Sequence, residues 1–144
     1  MIERDTIRLL RECDAGIAMG VSAIEDVLLS VRSDAFRDKL IHCKAEHETL
    51  EREVRKALDR FHDAGKAPGM MAQTLSAAKT GFKLAIDASD ETAASLITDG
   101  CNMGVKSLNQ YLNEFEAADE YAKDIAKRLI HLEKQLADGI RDFL

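Results

Sequence analysis

The sequence predicts an all-α protein, a four-helix bundle made of two antiparallel hairpins that a crossover helix joins. Apolar residues recur at spacings of three and four along nearly the whole chain, and no stretch alternates as a strand would. A hexapeptide, G-x-x-M-G-V, occurs at residues 16–21 and again at residues 100–105. The recurrence predicts two related halves within one domain over residues 1–144.

Five helices follow from the apolar stripes and from the breakers between them. The first hairpin is predicted over residues 5–64, the crossover helix over residues 70–87 and the second hairpin over residues 91–144. The four hairpin helices are expected at residues 5–31, 35–64, 91–115 and 119–143. The Gly- and Pro-containing stretch 65–69 ends the first hairpin.

Polar residues at the predicted starts of helices are candidate N-caps. Asp5 or Thr6 would cap the first helix. The two Ser-Asp pairs that begin at Ser33 and Ser89 would cap the second and fourth helices. Because the turn at Ser33 is short, it predicts antiparallel packing of the helices that flank it.

The repeat extends beyond the hexapeptide. An offset of 84 residues aligns the apolar stripes of the first and fourth helices, and an offset of 86 aligns His47 with Glu133. Two long helices, a long crossover and two further long helices give the ferritin-like topology.

Four glycines lie in helix interiors, where each costs about 1 kcal/mol relative to alanine. They form two pairs at a spacing of four, Gly16 with Gly20 and Gly100 with Gly104. One interpretation is close packing of the first and fourth helices, or of the crossover helix onto them. The other is a small pocket in the middle of the bundle.

Ferritin-like bundles often hold two metal ions, which need a Glu-x-x-His on each of two helices. No such motif occurs here: three of the four histidines follow a basic residue at that spacing. The fourth, His62, follows Asp59 at the end of the second helix. No resident cofactor is therefore expected, and iron or manganese is the alternative.

Five residues are the candidates for a diverged metal site: Asp14, Glu25, Glu46, His47 and Glu133. They would have to converge in one layer of the bundle. Asp14 and His47 are polar residues on otherwise apolar stripes, and a buried hydrogen bond or a water bridge between them explains both without a metal. Glu46 belongs to a solvated acidic and basic face.

The three cysteines, Cys13, Cys43 and Cys101, are too widely spaced for a disulfide framework or a zinc motif. Reduced, buried thiols are expected. Cys43 and His47 lie one helical turn apart, a spacing that could activate a thiolate, although packing on the stripe is the favoured interpretation.

The duplicated hairpin resembles an uncharacterised group of bacterial ferritin-like four-helix bundles, over nearly the whole chain. The resemblance is strongest at residues 10–16 and 98–102. Members of the group often carry an acidic residue after the glycine of a similar motif. Ile17 and Cys101 stand there instead, so no metal ligand is carried over. The resemblance implies a ferritin-like role that is related to stress.

The net charge of −6 argues against a general affinity for nucleic acid or anionic membranes. No apolar run approaches the roughly 18 residues of a membrane span, and no signal peptide is expected. We therefore expect a cytoplasmic, non-catalytic bundle that acts through self-association or a protein partner, with Met70 and Phe82 as candidate contacts. The alternatives are a di-iron or di-manganese protein, either ferroxidase or oxidoreductase, and a small-ligand pocket beside the glycines.

Overall fold

The computed structural model describes residues 2–61 and 89–144, which form four α-helices and contain no strand. The elements are α1 (Ile2–Leu28), α2 (Asp34–Asp59), α3 (Asp90–Glu114), α4 (Glu120–Gly139) and a 3₁₀ turn (Arg141–Phe143). The all-α prediction is confirmed. None of the four described helices combines the length and the apolar character that crossing a bilayer needs.

Several predictions fall outside the described residues. These are the break at 65–69, the crossover helix at 70–87, His62 with its Asp-x-x-His spacing, and the candidate contacts Met70 and Phe82.

The helices pack as two hairpins side by side. α1 contacts α2, α3 and α4, while α4 also contacts α2 and α3. The carboxylate of Asp90, at the start of α3, accepts hydrogen bonds of 2.8 Å from the backbone N–H groups of Arg32 and Ser33 in the α1–α2 turn. α3 therefore begins beside that turn, at the end of the molecule opposite to the one where α2 ends.

The predicted caps of the second and fourth helices are confirmed. The Ser33 hydroxyl accepts from Phe36 N, and the Ser89 hydroxyl accepts from Thr92 N. The predicted cap of the first helix is wrong, because α1 already begins at Ile2.

Asp5 and Thr6 lie inside α1 and serve another purpose. The Asp5 carboxylate accepts from Ala117 N at 3.1 Å, and the Thr6 hydroxyl accepts from Asp119 N at 2.8 Å. These bonds tie the first turns of α1 to the α3–α4 connection. The two N–H donors belong to a distant connection, so the sequence around Asp5 and Thr6 does not predict these bonds.

The four predicted hairpin helices run past their observed ends, three of them by at least three residues. α1 ends at Leu28 rather than at residue 31, and α2 ends at Asp59 rather than at residue 64. α4 ends at Gly139, after which the 3₁₀ turn places the Phe143 ring on the Phe36 ring at a centroid distance of 4.8 Å. Apolar periodicity continues through such turns, so it does not mark where the helix stops.

The buried apolar side chains form two clusters at different levels along the helices. One contains Ile17, Leu50, Leu108 and Leu132, and the other contains Ile24, Leu40, Cys101 and Leu136. Between these clusters, each of the four helices contributes one glycine or polar residue to the same buried contact. These four residues are Gly20, His47, Gly104 and Glu133, and we call them the central layer.

Candidate functional site

The centre of the layer is a hydrogen bond between side chains of α2 and α4. His47 Nε2 lies 2.7 Å from Glu133 Oε1, and the two residues are only 1% and 9% exposed. The apolar stripes of the two helices bring the side chains together, because the residues one turn away on either side are packed in the core. The apolar stripes of α2 and α4 are therefore each interrupted by one buried polar residue, and these two residues bind each other.

The position of one proton in this pair follows from the neighbouring backbone. His47 Nδ1 lies 2.8 Å from the carbonyl oxygen of Cys43, one turn earlier in α2. A carbonyl oxygen only accepts, so Nδ1 carries a hydrogen and donates it. Nε2 and the carboxyl group of Glu133 then share a second proton, which makes the pair a net-neutral unit.

The surroundings place that shared proton on the imidazole at neutral pH. Burial alone would lower the pKa of His47. Hydrogen bonds to the side chains of Cys43 and Glu133, together with the electrostatic effects of the same two side chains, outweigh burial and raise the pKa from 6.5 to about 10. The pair is therefore an imidazolium and a carboxylate, a buried ion pair bridging α2 and α4.

The three cysteines are free and buried, as expected. Burial, and then the charges of Glu12 and Asp14, raise the pKa of the Cys13 thiol to about 12. Burial, and then the charge of Glu133, raise the pKa of the Cys101 thiol above its ordinary range. These two thiols stay protonated at neutral pH, which is the opposite of what a thiolate nucleophile needs.

The alternative of a Cys43–His47 catalytic pair finds no support in the geometry. Cys43 Sγ lies 3.4 Å from His47 Nδ1, but the hydrogen on Nδ1 is directed at the Cys43 carbonyl oxygen. A protonated nitrogen cannot take the thiol proton. Nε2, the other ring nitrogen, bonds to Glu133.

Two of the four helical glycines make room for this ion pair. A Cβ added at Gly20 would lie 3.2 Å from His47 Nε2, and one added at Gly104 would lie 3.5 Å from Glu133 Oε2. The glycines thus accommodate side chains from α2 and α4 rather than a close approach of two helix backbones. A Cβ at Gly16 would lie 3.8 Å from Leu129, whereas one at Gly100 would meet nothing within 4 Å.

These differences predict different effects of alanine at positions that look equivalent in the sequence. Gly100→Ala and Gly104→Ala are expected to stabilise the protein by up to about 1 kcal/mol, since alanine favours the helix and meets only ordinary contacts. Gly20→Ala is expected to leave the stability unchanged or to lower it, because the His47 imidazole must move to admit the new Cβ. Urea unfolding followed by circular dichroism measures both, and an equal gain at all three positions would contradict this account of Gly20.

A cavity of about 260 Å³ opens between α1 and α3 and reaches the central layer. Gly16, Gly20, Gly100 and Gly104 line it, together with His47 and Glu133. Two methionines of the repeated hexapeptide also line it: Met19 is 40% exposed and Met103 is 68% exposed. The repeated motif therefore places its glycines along the cavity and its methionines at the protein surface.

The structure brings only two of the five candidate metal ligands together, His47 and Glu133. Glu25 is exposed and pairs with Lys44 at 3.3 Å, and Glu46 pairs with His42 at 2.7 Å. The anticipated pairing of Asp14 with His47 is wrong, because the two ring nitrogens of His47 bond to Cys43 O and to Glu133.

Asp14 lies between α1 and α2, with Oδ1 3.8 Å from Arg55 Nε. That buried oxygen has no hydrogen-bond partner. Within residues 2–61 and 89–144, no three His, Cys, Asp or Glu side chains are grouped so that they could hold a metal ion. The described side chains therefore give no geometric support for the alternative of a metal centre.

Comparisons with known proteins leave the site to be interpreted from its own geometry. No family model, curated protein or solved structure matches the chain.

Proposed function

We propose that the protein is a non-catalytic ferritin-like bundle, built from two related hairpins, which acts through contact with a second copy of itself or with a protein partner. The observation that carries the proposal is the closed His47–Glu133 pair. Where a ferritin-like protein would hold metal, the polar side chains bind each other, and His47 has no nitrogen left for a metal ion.

Two features support the ferritin-like topology and the relation between the hairpins. α3 begins beside the α1–α2 turn rather than beside the end of α2, which is the arrangement of a bundle with one long crossover. In addition, His47 and Glu133 meet in the central layer, and an offset of 86 residues relates them in the sequence. Gly20 and Gly104, at an offset of 84, flank the same pair.

Met19 and Met103 mark the proposed contact surface. Exposed apolar side chains are ordinary when they are scattered singly, but these two border the same cavity on neighbouring helices. Methionine is flexible and polarizable, so it suits a surface that must adapt to another protein. We name Met19 and Met103 the methionine surface.

Sedimentation velocity over a range of concentrations tests self-association, with the double variant Met19→Lys/Met103→Lys. Leu29→Lys is the matched control, because Leu29 is 90% exposed and lies at the α1–α2 turn. We expect the double variant, and not the control, to shift the protein towards monomer. If the native protein is monomeric throughout, the same variants are compared for capture of a partner from a lysate. If the double variant and Leu29→Lys behaved alike in both assays, the methionine surface would not be the contact surface.

Metal analysis tests the non-catalytic part of the proposal. The native protein is purified from cells supplemented with iron and manganese, and its metal content is measured by plasma mass spectrometry. We expect background content. Stoichiometric iron or manganese that disappears in His47→Ala would instead establish the di-metal alternative.

A further inference from the structure

We propose that the cavity between α1 and α3 binds a small, mainly apolar molecule that carries one hydrogen-bond donor, which Glu133 accepts. This inference goes beyond the proposed protein contact and does not depend on it. It rests on the size of the cavity, on its apolar walls and on the Glu133 carboxylate beside Gly104. Glu12, the other carboxylate that lines the cavity, is eight residues before Gly20 in α1, about two helical turns away.

The cavity is large enough for a compact ring system. An engineered apolar cavity of about 150 Å³ takes up benzene, so 260 Å³ has room for a bicyclic molecule. Apolar side chains of Ile97, Leu108 and Leu129 form part of the walls. The glycines provide the space, because any larger residue at Gly16 or Gly100 would project a side chain from the wall of the cavity.

The end of the cavity at the central layer contains the Glu133 carboxylate, a hydrogen-bond acceptor. Glu133 Oε1 bonds to His47, while Oε2 lies next to Gly104. Because Gly104 lines the cavity and has no side chain, Oε2 faces the cavity there. An ionised carboxylate has about four acceptor positions, and His47 and the neighbouring Cys101 thiol leave part of that capacity unused.

The charge balance of the layer sets the class of ligand. His47 already neutralises Glu133, so a cationic group placed against Glu133 would add an unpaired positive charge to the buried end of the cavity. An anionic or acceptor-only ligand would face the carboxylate without a donor. A neutral molecule with one N–H or O–H donor satisfies the free acceptor position and leaves the ion pair intact.

Indole and benzofuran provide matched probes. They have nearly the same shape, but indole has an N–H donor where benzofuran has an oxygen. Methyl-¹³C methionine labelling reports on the cavity through Met19 and Met103, which both line it. Because a hydrogen bond to a charged group is strong, indole should bind at least about tenfold more tightly than benzofuran.

Two substitutions separate binding in the cavity from binding elsewhere. Gly100→Leu fills open space, so it should block the cavity while improving helix propensity. Gly139→Leu is the control, since a Cβ there meets only the flexible end of Lys39 on another face. Glu133→Gln keeps the shape but removes the charge, and it should reduce the preference for indole.

The expected result is saturable binding of one indole per chain, with shifts of the Met19 and Met103 signals. Binding should persist in Gly139→Leu and be lost in Gly100→Leu. Absence of binding up to the solubility limit of indole, unchanged binding in folded Gly100→Leu, or equal affinity for the two probes would each overturn the proposal. Sedimentation velocity and metal content are separate measurements, so failure here is distinguishable from failure of the proposed function.

Discussion

Replacing Glu133 by methionine is expected to lower the free energy of unfolding by about 3–5 kcal/mol, because it leaves one member of a buried ion pair without its partner. Methionine has nearly the length of glutamate, so little of the loss would come from an empty cavity. His47 Nε2 would remain in the core with no acceptor, and water would have to enter or the ring would have to lose its proton. Urea unfolding of the native and variant proteins measures the change.

The controls separate the ion pair from general effects of the substitution. Glu120→Met removes a carboxylate from the first turn of the same helix, where the side chain is 90% exposed, and it should change stability by less than about 0.5 kcal/mol. Glu133→Gln keeps a hydrogen-bond acceptor for His47 and should fall between the two. If Glu133→Met cost no more than Glu120→Met, the pair would have no structural role.

A double-mutant cycle tests whether the cost belongs to the unpaired group rather than to the loss of the pair. His47→Leu/Glu133→Met replaces both partners by apolar residues of similar size. Such replacements of buried ion pairs are often neutral or stabilising, so the double variant should regain most of the stability that Glu133→Met loses. Recovery would also imply that the pair is retained for specificity or function rather than for stability.

The helices and two of their caps could be predicted from the sequence because they depend on local interactions. Ser33 and Ser89 each bond to a backbone N–H three residues later, within the span that sequence reasoning covers. Asp5 and Thr6 could not be placed in the same way. Their partners, Ala117 N and Asp119 N, are more than a hundred residues away along the chain.

The site was only partly predictable, because its geometry depends on how each helix is rotated about its axis. The sequence predicted that His47 and Glu133 occupy matching positions but paired His47 with Asp14 on the adjacent helix. The missed signal is Gly20, whose lack of a side chain leaves room for the imidazole beside α1. Gly20 and Gly104 are 84 residues apart, and His47 and Glu133 are 86 residues apart. These nearly equal offsets together predict that the four residues share one layer.

Stability is expected to fall as the pH rises above neutrality, and His47 gives the reason. Its pKa is about 10 in the folded protein and near 6.5 when unfolded, so between these values the folded state holds a proton that the unfolded state has lost. The contribution is fully present below about pH 6.5 and is lost as the pH passes through about 10. Within this window the slope should approach about 1.4 kcal/mol per pH unit.

The raised pKa values of Cys13 and Cys101 also lower the stability as the pH rises, but only near and above the ordinary thiol pKa of 9. The window from pH 7 to pH 8.5 therefore isolates the effect of His47. Urea unfolding at intervals across that window should show a loss of about 2 kcal/mol in the native protein. In Glu133→Met the pKa of His47 loses the contribution of the carboxylate but keeps that of the Cys43 side chain, so the fall in stability across the window should be smaller than in the native protein. Parallel slopes in the two proteins would mean that Glu133 does not raise the pKa of His47 in the folded protein.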